Sequence, residues 1–385
     1  MIKKTRLFTP GPTPLLPSAQ LAMAGATMHH RTAEFRALYS KVLADLKTFV
    51  GTKNDVVMFT ASGTGAMEAA VSNLTSPGDK VLVLSAGKFG ERWEGLAKTY
   101  GCQVEMVRSP YGETVTPDQI KQKLGPGHVA LYMQATESST GVRHDVESMA
   151  RLLRGTNTLL VVDAITGLGT TAFDIDGWGV DVVIGGSQKA VMIPPGLAYC
   201  AVSDRAWQRM ETSKNPRYYF DLRKERKSGA KGESSYTPST ALVAALATAL
   251  DYLREQGGGD LATGRDLLIR NAETAAAMTR AAAKALGLEL FSKCSPGAAL
   301  TAVASPDGID SGEIAKKLRS RFGAVIANGQ GEMKGHLFRI AHLGLYDYLD
   351  TIAIIGALEH VLVEIGRKVE LGSGLKAAQL VYAQS

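Results

Sequence analysis

Apolar positions along this chain fall into two rhythms. Between Glu34 and Val50, the residues Phe35, Leu38, Tyr39, Val42, Leu46 and Phe49 recur at three- and four-residue steps, which predicts an amphipathic helix. Short apolar runs bounded by Gly, Pro or polar turns instead predict buried strands at Val56–Thr60, Lys80–Leu84, Val129–Met133, Leu159–Val162, Val182–Ile184 and Leu197–Val202. Helical stretches alternate with these strands from about residue 56 to residue 185. That alternation predicts an α/β protein with a mostly parallel, doubly wound sheet. The interval from Gly185 to Gly196 is too short for a helical crossover, so Leu197–Val202 is expected to run antiparallel.

Further along, hydroxyls at Thr237-Pro238-Ser239-Thr240 offer an N-cap to a helix whose run Ala241–Leu253 is almost wholly apolar. Gly257-Gly258-Gly259 punctuates the chain before a second long helix, Leu261–Leu286. An α+β region follows, with strands expected near Leu288–Phe291, Ala299–Ala304 and Leu337–Ile340. Residues 1–18 read as an extended arm, since four prolines fall between Phe8 and Pro17. The expected organisation is this arm, a large domain at 19–260 and a smaller C-terminal domain at 261–385. The basic stretch Lys214–Lys231 reads as a solvated, mobile face.

Composition narrows the class. A chain of 385 residues has room for about two domains, and 45% hydrophobic with 21% charged residues is ordinary for a soluble globular protein. The formal charge of +6 is mild, and no basic module interleaved with aromatics points to nucleic acid. The N-terminal residues lack an apolar signal core, and no run reaches the ~18 apolar residues of a membrane span. Cys102, Cys200 and Cys294 are far apart, which suits a reducing cytoplasm better than a disulfide framework or a paired-cysteine zinc site.

The ends of the predicted strands carry the chemistry, because loops at the carboxyl ends of an open α/β sheet form its ligand crevice. After the first strand comes Ala61-Ser62-Gly63-Thr64-Gly65, a small-residue turn into a helix that can cup an anion. It is not a nucleotide motif: Glu68 stands where a dinucleotide fingerprint needs Gly or Ala, and no Gly-Lys-Ser/Thr follows. Phe89 lies in the glycine-flanked loop Gly87–Gly90, and Ser138 in the hydroxyl cluster Glu137–Gly141. Asp163 ends one strand and Lys189 follows another. Pyridoxal 5′-phosphate asks for all five features. It needs a lysine for its Schiff base, a carboxylate for its pyridinium nitrogen, a phosphate anchor and a flat group against its ring.

These stretches resemble the class V aminotransferases of the fold type I pyridoxal phosphate enzymes, nearest the alanine–glyoxylate, serine–glyoxylate and serine–pyruvate group. The resemblance rests on Thr9-Pro10-Gly11-Pro12, the Ser62, Phe89, Ser138 and Asp163 segments, Gly186-Ser187-Gln188-Lys189-Ala190 with Pro194-Pro195-Gly196, and Phe338-Arg339-Ile340, in family order from end to end. It implies that Lys189 carries the cofactor and Asp163 pairs with its ring nitrogen. It implies that Gly63, Thr64 and Gln188 hold the phosphate, that Ser138 lies near the ring hydroxyl, and that Arg339 binds the substrate carboxylate. It further implies a homodimer in which Thr237 reaches the partner's phosphate, and the proline-rich arm is expected to cross to the second copy; the cysteine usage above makes the expected location cytoplasmic. The family's tyrosine three residues before that threonine is Ser234 here, with Tyr236 close by.

The expected activity is transfer of an amino group from a small amino acid, alanine or serine, to glyoxylate or pyruvate. An aspartate-type transaminase is the alternative, with Arg31 as its candidate second carboxylate partner. A cysteine desulfurase would need a cysteine shortly before the arginine, and Ala327–His336 has none. A non-catalytic subunit of the same fold is the remaining alternative; both Lys189 and Asp163 persist here.

Overall fold

The computed structural model describes residues 2–25 and 28–385. Its strands are β1 (Arg6–Phe8), β2 (Asp55–Phe59), β3 (Lys80–Ser85), β4 (Gln103–Arg108), β5 (His128–Gln134), a two-residue ribbon of β6 (Thr136–Glu137) and β7 (Val142–Arg143), β8 (Leu159–Asp163), β9 (Val182–Gly186), β10 (Ala198–Val202), β11 (Leu300–Ala304), β12 (Ala324–Asn328) and β13 (Leu337–Ala341). Seven of them form the main sheet in the order β2-β10-β9-β8-β5-β3-β4. The strands are parallel except β10, which runs antiparallel to both neighbours, as its short connection requires.

Both faces of this sheet are buried, which is why its strands read as unbroken apolar runs. Side chains alternate between two cores. Val56, Met58, Leu82, Leu84, Leu131 and Met133 face one, with Phe35, Val42 and Leu46 of the helix α2 (Ala33–Val50). Val57, Phe59, Val81, Val83 and Tyr132 face the other, with Met67 of α3 (Gly63–Leu74) and Trp93 of α4 (Lys88–Thr99). β4 has no counterpart in the apolar reading, because an edge strand of sequence QVEMVR shows only partial burial.

The second sheet has the order β1-β12-β13-β11. Its core draws on Phe8 and on residues from Ala275 to Leu362. The long helix Leu261–Ala285 starts in the first core at Leu261 and reaches this one at Ala275 and Ala283. Leu288–Phe291 forms no strand; only Leu290 makes an isolated bridge, to Val303. The N-terminal arm also differs from expectation, since β1 pairs with β12 and so joins the small sheet.

The basic stretch 214–231 is ordered, not a mobile face. Asp221 caps a helix at Leu222–Gly229, Leu222 and Glu225 are buried, and Arg226 lies 4.6 Å over the Trp207 ring. Charge density alone misreads a helix that buries one apolar side and one carboxylate. Among the described residues, no helix is long and apolar enough to cross a membrane.

Candidate active site

Strand order brings the sequence-predicted residues together. β9 and β8 are neighbours, so Asp163 at the end of β8 and Lys189 just beyond β9 arrive at the same sheet edge. There they line one cavity of about 330 Å³ with Ser62, Gly63, Thr64, Phe89, Ser138 and Gln188. That volume lies within the range of small-molecule sites.

The lysine loop is held from both ends. Ser187 Oγ donates to Pro194 O at 2.7 Å and accepts from Leu197 N at 3.1 Å, closing the turn back into β10. The arm supplies the other restraint. Thr13 N donates to Gln188 O at 3.3 Å, Thr13 Oγ1 to Lys189 O at 3.0 Å, and Leu16 N to Met192 O at 2.9 Å. Lys189 Nζ itself donates to Pro10 O. Residues Pro10–Leu16 of the arm are therefore tied to the lysine loop of their own chain. Gly11 lies so close over the lysine that a Cβ would stand 2.6 Å from Nζ, a reason for glycine at its φ of +132°.

Burial sets the electrostatics. Lys189 is 8% exposed, and desolvation pulls its pKa down to about 8 despite the attraction of Asp163; Arg339 and Arg92 add to the fall. Asp163 is pushed up to about 6, again by burial, against the amide of Ile165 at 2.9 Å and the charges of Lys189 and Arg92. The two groups are therefore poised on either side of neutrality. Lysine reacts with an aldehyde only as the free base, and this shift raises that fraction at pH 7 by roughly two orders of magnitude.

The walls suit a phosphorylated ring. Ser62 occupies the N-cap of α3, yet its side chain makes no capping hydrogen bond and lines the cavity instead. Gly63 leaves room for Ile165, whose Cδ1 would lie 2.2 Å from a Cβ there and would have to shift. Ile165 and Phe89 both line the cavity, one apolar and one aromatic. Two buried polar atoms of lining residues, Gln188 Oε1 and Thr136 Oγ1, have no hydrogen-bond partner in the protein. Orphaned groups of this kind are rare in folded proteins and mark where a polar ligand belongs. The donor set thus fits pyridoxal phosphate: an amine, a carboxylate, a helix N-terminus with hydroxyls, and flat or apolar walls.

Three predicted residues lie elsewhere. Arg339 is 4% exposed on β13 and stands behind Ser138, donating to Ser138 O at 2.7 Å and to Asn328 O at 2.5 Å; its Nε is buried without a partner. Thr237 is exposed, on a surface shared with Tyr219 and Tyr236, away from this chain's own cavity. The neighbouring helix is capped by position alone: it begins at Thr240, and Ser239 makes no side-chain cap. Arg31 is exposed before α2, its Nε 3.5 Å from His30 Nε2, and does not line the cavity.

Sequence reasoning missed Ile165, Thr136, Glu137 and Arg92. Glu137 is fully buried and takes hydrogen bonds from the Phe89 loop. A carboxylate set between an apolar strand and a hydroxyl cluster was its one visible signal. Arg92, one turn into α4, looks in the sequence like any exposed helical arginine.

The comparisons with known proteins agree with this geometry. A family model described as Aminotransferase class-V matches residues 18–331. The chain belongs to that family. As a class V aminotransferase it is 33% identical to the L-aspartate–glyoxylate aminotransferase of Paracoccus denitrificans, over all of this chain and 98% of that one. It is 40% identical, over the full length of both, to a Synechococcus protein named as the small subunit of a soluble hydrogenase. Among solved structures, the alanine–glyoxylate aminotransferase of Nostoc superposes with a TM-score of 0.87 at 29% identity, covering 94% of this chain and 96% of that one. The aminotransferase is thus an α/β protein of fold type I.

Proposed function

We propose that this aminotransferase uses pyridoxal phosphate to move an amino group from a small neutral amino acid, alanine or serine, to glyoxylate or pyruvate. The observation that carries the reading is the buried pair of Lys189 and Asp163 at one sheet edge, with the amine drawn down to about 8 and the carboxylate raised to about 6. When bound, the cofactor supplies an aldehyde that bonds to amines and a ring that takes up the electron pair left at the substrate Cα. The protein's residues do the rest. Lys189 Nζ, released as a free base, takes the Cα proton and returns it. Asp163 holds a proton on the ring nitrogen. Ser62, Gly63, Thr64 and Gln188 bind the phosphate, Phe89 and Ile165 flank the ring, and Ser138 serves its hydroxyl.

We assign Arg339 to the substrate carboxylate; its buried, unpartnered Nε and its contact with the carbonyl of Ser138, a residue that lines the cavity, support that role. Thr237, exposed on its own chain, is assigned to the partner's phosphate in a homodimer. The two aminotransferases compared above are both named for glyoxylate and differ in their donor, so the pocket must choose the donor. With Arg339 taken by the α-carboxylate, Arg92 beside Thr64 of the phosphate cup and Arg31 outside the cavity, a distal carboxylate would lose solvent without a cation of its own, at a cost of several kcal/mol.

Borohydride reduction of the holoenzyme followed by peptide mapping tests the core of this reading. Label on the peptide containing Lys189 is expected, and label on another lysine overturns it. Mixing the holoenzyme with single amino acids and following conversion of the cofactor to its amine form tests the donor, with alanine and serine expected ahead of aspartate and glutamate.

A further inference from the structure

The phosphate cup read from the sequence has a deficit of charge. Ser62, Gly63, Thr64 and Gln188 offer only neutral donors, while a phosphate monoester carries close to two negative charges at neutral pH. A cation is missing from the set, and the structure places one there. Arg92 lines the same cavity, its Nη1 donates to Thr64 Oγ1 at 3.0 Å, and its Cζ stands 4.8 Å from the centre of the Phe89 ring.

The surroundings leave this guanidinium uncommitted. Nearby acids are taken: Glu91 by Lys88, and Glu94 by Lys98 and Arg108. Among the described residues Arg92 forms no ion pair, so one of its five donors serves a neutral hydroxyl and others remain available. Its charge reaches the reacting groups, favouring the ionised form of Asp163 and the neutral form of Lys189.

We propose that Arg92 is a cofactor-binding residue, its guanidinium supplying the cationic partner of the phosphate beside Thr64 while its flat face holds Phe89 against the ring. The proposal rests on the pyridoxal phosphate reading above. It separates two roles that one arginine can fill, a charge for the phosphate and a plane for the aromatic, and the separation can be measured.

Apo forms of the wild type, Arg92→Gln and Arg92→Lys are titrated with pyridoxal phosphate and with pyridoxal, which lacks the phosphate. Binding is followed by absorbance and by quenching of protein fluorescence. Loss of one charge-assisted contact predicts that Arg92→Gln weakens pyridoxal phosphate about 10- to 100-fold. Pyridoxal affinity should change less than about threefold, and Arg92→Lys, keeping the charge, should recover most of the loss. Inorganic phosphate should compete with pyridoxal phosphate in the wild type and more weakly in Arg92→Gln. Equal losses for both ligands would reduce Arg92 to a prop for Phe89 and overturn the proposal, as would no loss at all. Unchanged cofactor affinity with selective loss of aspartate turnover would make it a substrate clamp and overturn it too. Wild-type protein that takes up neither ligand would instead overturn the cofactor reading itself.

Discussion

The buried carboxylate of Glu137 accepts a 3.1 Å hydrogen bond from the backbone amide of Phe89, and so fixes the loop that carries the cavity's aromatic wall. The same oxygen accepts from Gly90 N at 3.1 Å, while Oε1 accepts from Ser139 N at 3.1 Å and Ser139 Oγ at 2.5 Å. Packing is tight enough that a Cβ on Gly87 would lie 2.6 Å from Glu137 Cγ. Burial raises the pKa of Glu137, and these donors act against it.

Glu137→Gln turns part of this acceptor into a donor facing backbone amides. A loss of about 2–4 kcal/mol in stability is expected, with weaker cofactor binding as the Phe89 loop loosens. Thermal melts of the apo protein and a pyridoxal phosphate titration measure the two effects. An unchanged melting temperature would show that the loop is held by something else.

Much of this site was legible because the chemistry sits at ends of buried strands, and such strands announce themselves as apolar runs. Asp163, Lys189, Phe89 and Ser138 could each be placed at a sheet edge without knowing the strand order. What stayed hidden depends on proximity across the chain. Glu137 and Phe89 are 48 positions apart, and no periodicity links a carboxylate to distant amides. Arg339 was assigned to the substrate, yet its two bonded groups hold the carbonyls of Asn328, on the paired strand β12, and of Ser138, 201 positions away in sequence. β1 is three residues long, too short for its pairing to show in the sequence.

Gly11→Ala should harm the lysine directly. The new Cβ would stand 2.6 Å from Nζ, and alanine at a φ of +132° carries backbone strain of about 1–3 kcal/mol. Capture of pyridoxal phosphate by the apo protein, read as borohydride-stable label, should slow at least about tenfold if the amine is displaced by steric contact. Wild-type rates would show that the Pro10–Pro12 turn moves aside at no cost.

Asp163→Asn should stabilise the apo protein while disabling the enzyme. The folded-state pKa of Asp163 is about 6, above its ordinary 3.8, so between those values the native state binds the extra proton. Stability therefore falls as pH rises through this window, and the cost is fully present above about pH 6. Removing it is worth at most about 3 kcal/mol. The variant should melt higher than wild type at pH 7.5, with the advantage gone at pH 4. Turnover should be lost at both, because asparagine cannot hold a proton on the ring nitrogen. A variant less stable at pH 7.5 would mean that the pairing with Lys189 outweighs the burial of the charge.

The proposed role of Arg339 as the substrate's carboxylate partner is tested by substrate size. A guanidinium binds one carboxylate through two parallel hydrogen bonds, and losing such a contact costs about 2–4 kcal/mol, or roughly 30- to 1,000-fold in kcat/KM. Arg339→Ala should impose that loss on alanine, serine and glyoxylate alike, mainly through KM. Arg339→Lys keeps the charge without the fork and should recover only part of it. Arg31→Ala should leave alanine turnover nearly unchanged, because Arg31 lies outside the cavity. Steady-state kinetics across neutral and acidic donors check all three. If aspartate proves the best donor and Arg31→Ala selectively abolishes its use, a second carboxylate partner reaches the site from outside this chain's own cavity. The preference for small neutral donors then fails, while transamination through Lys189 stands.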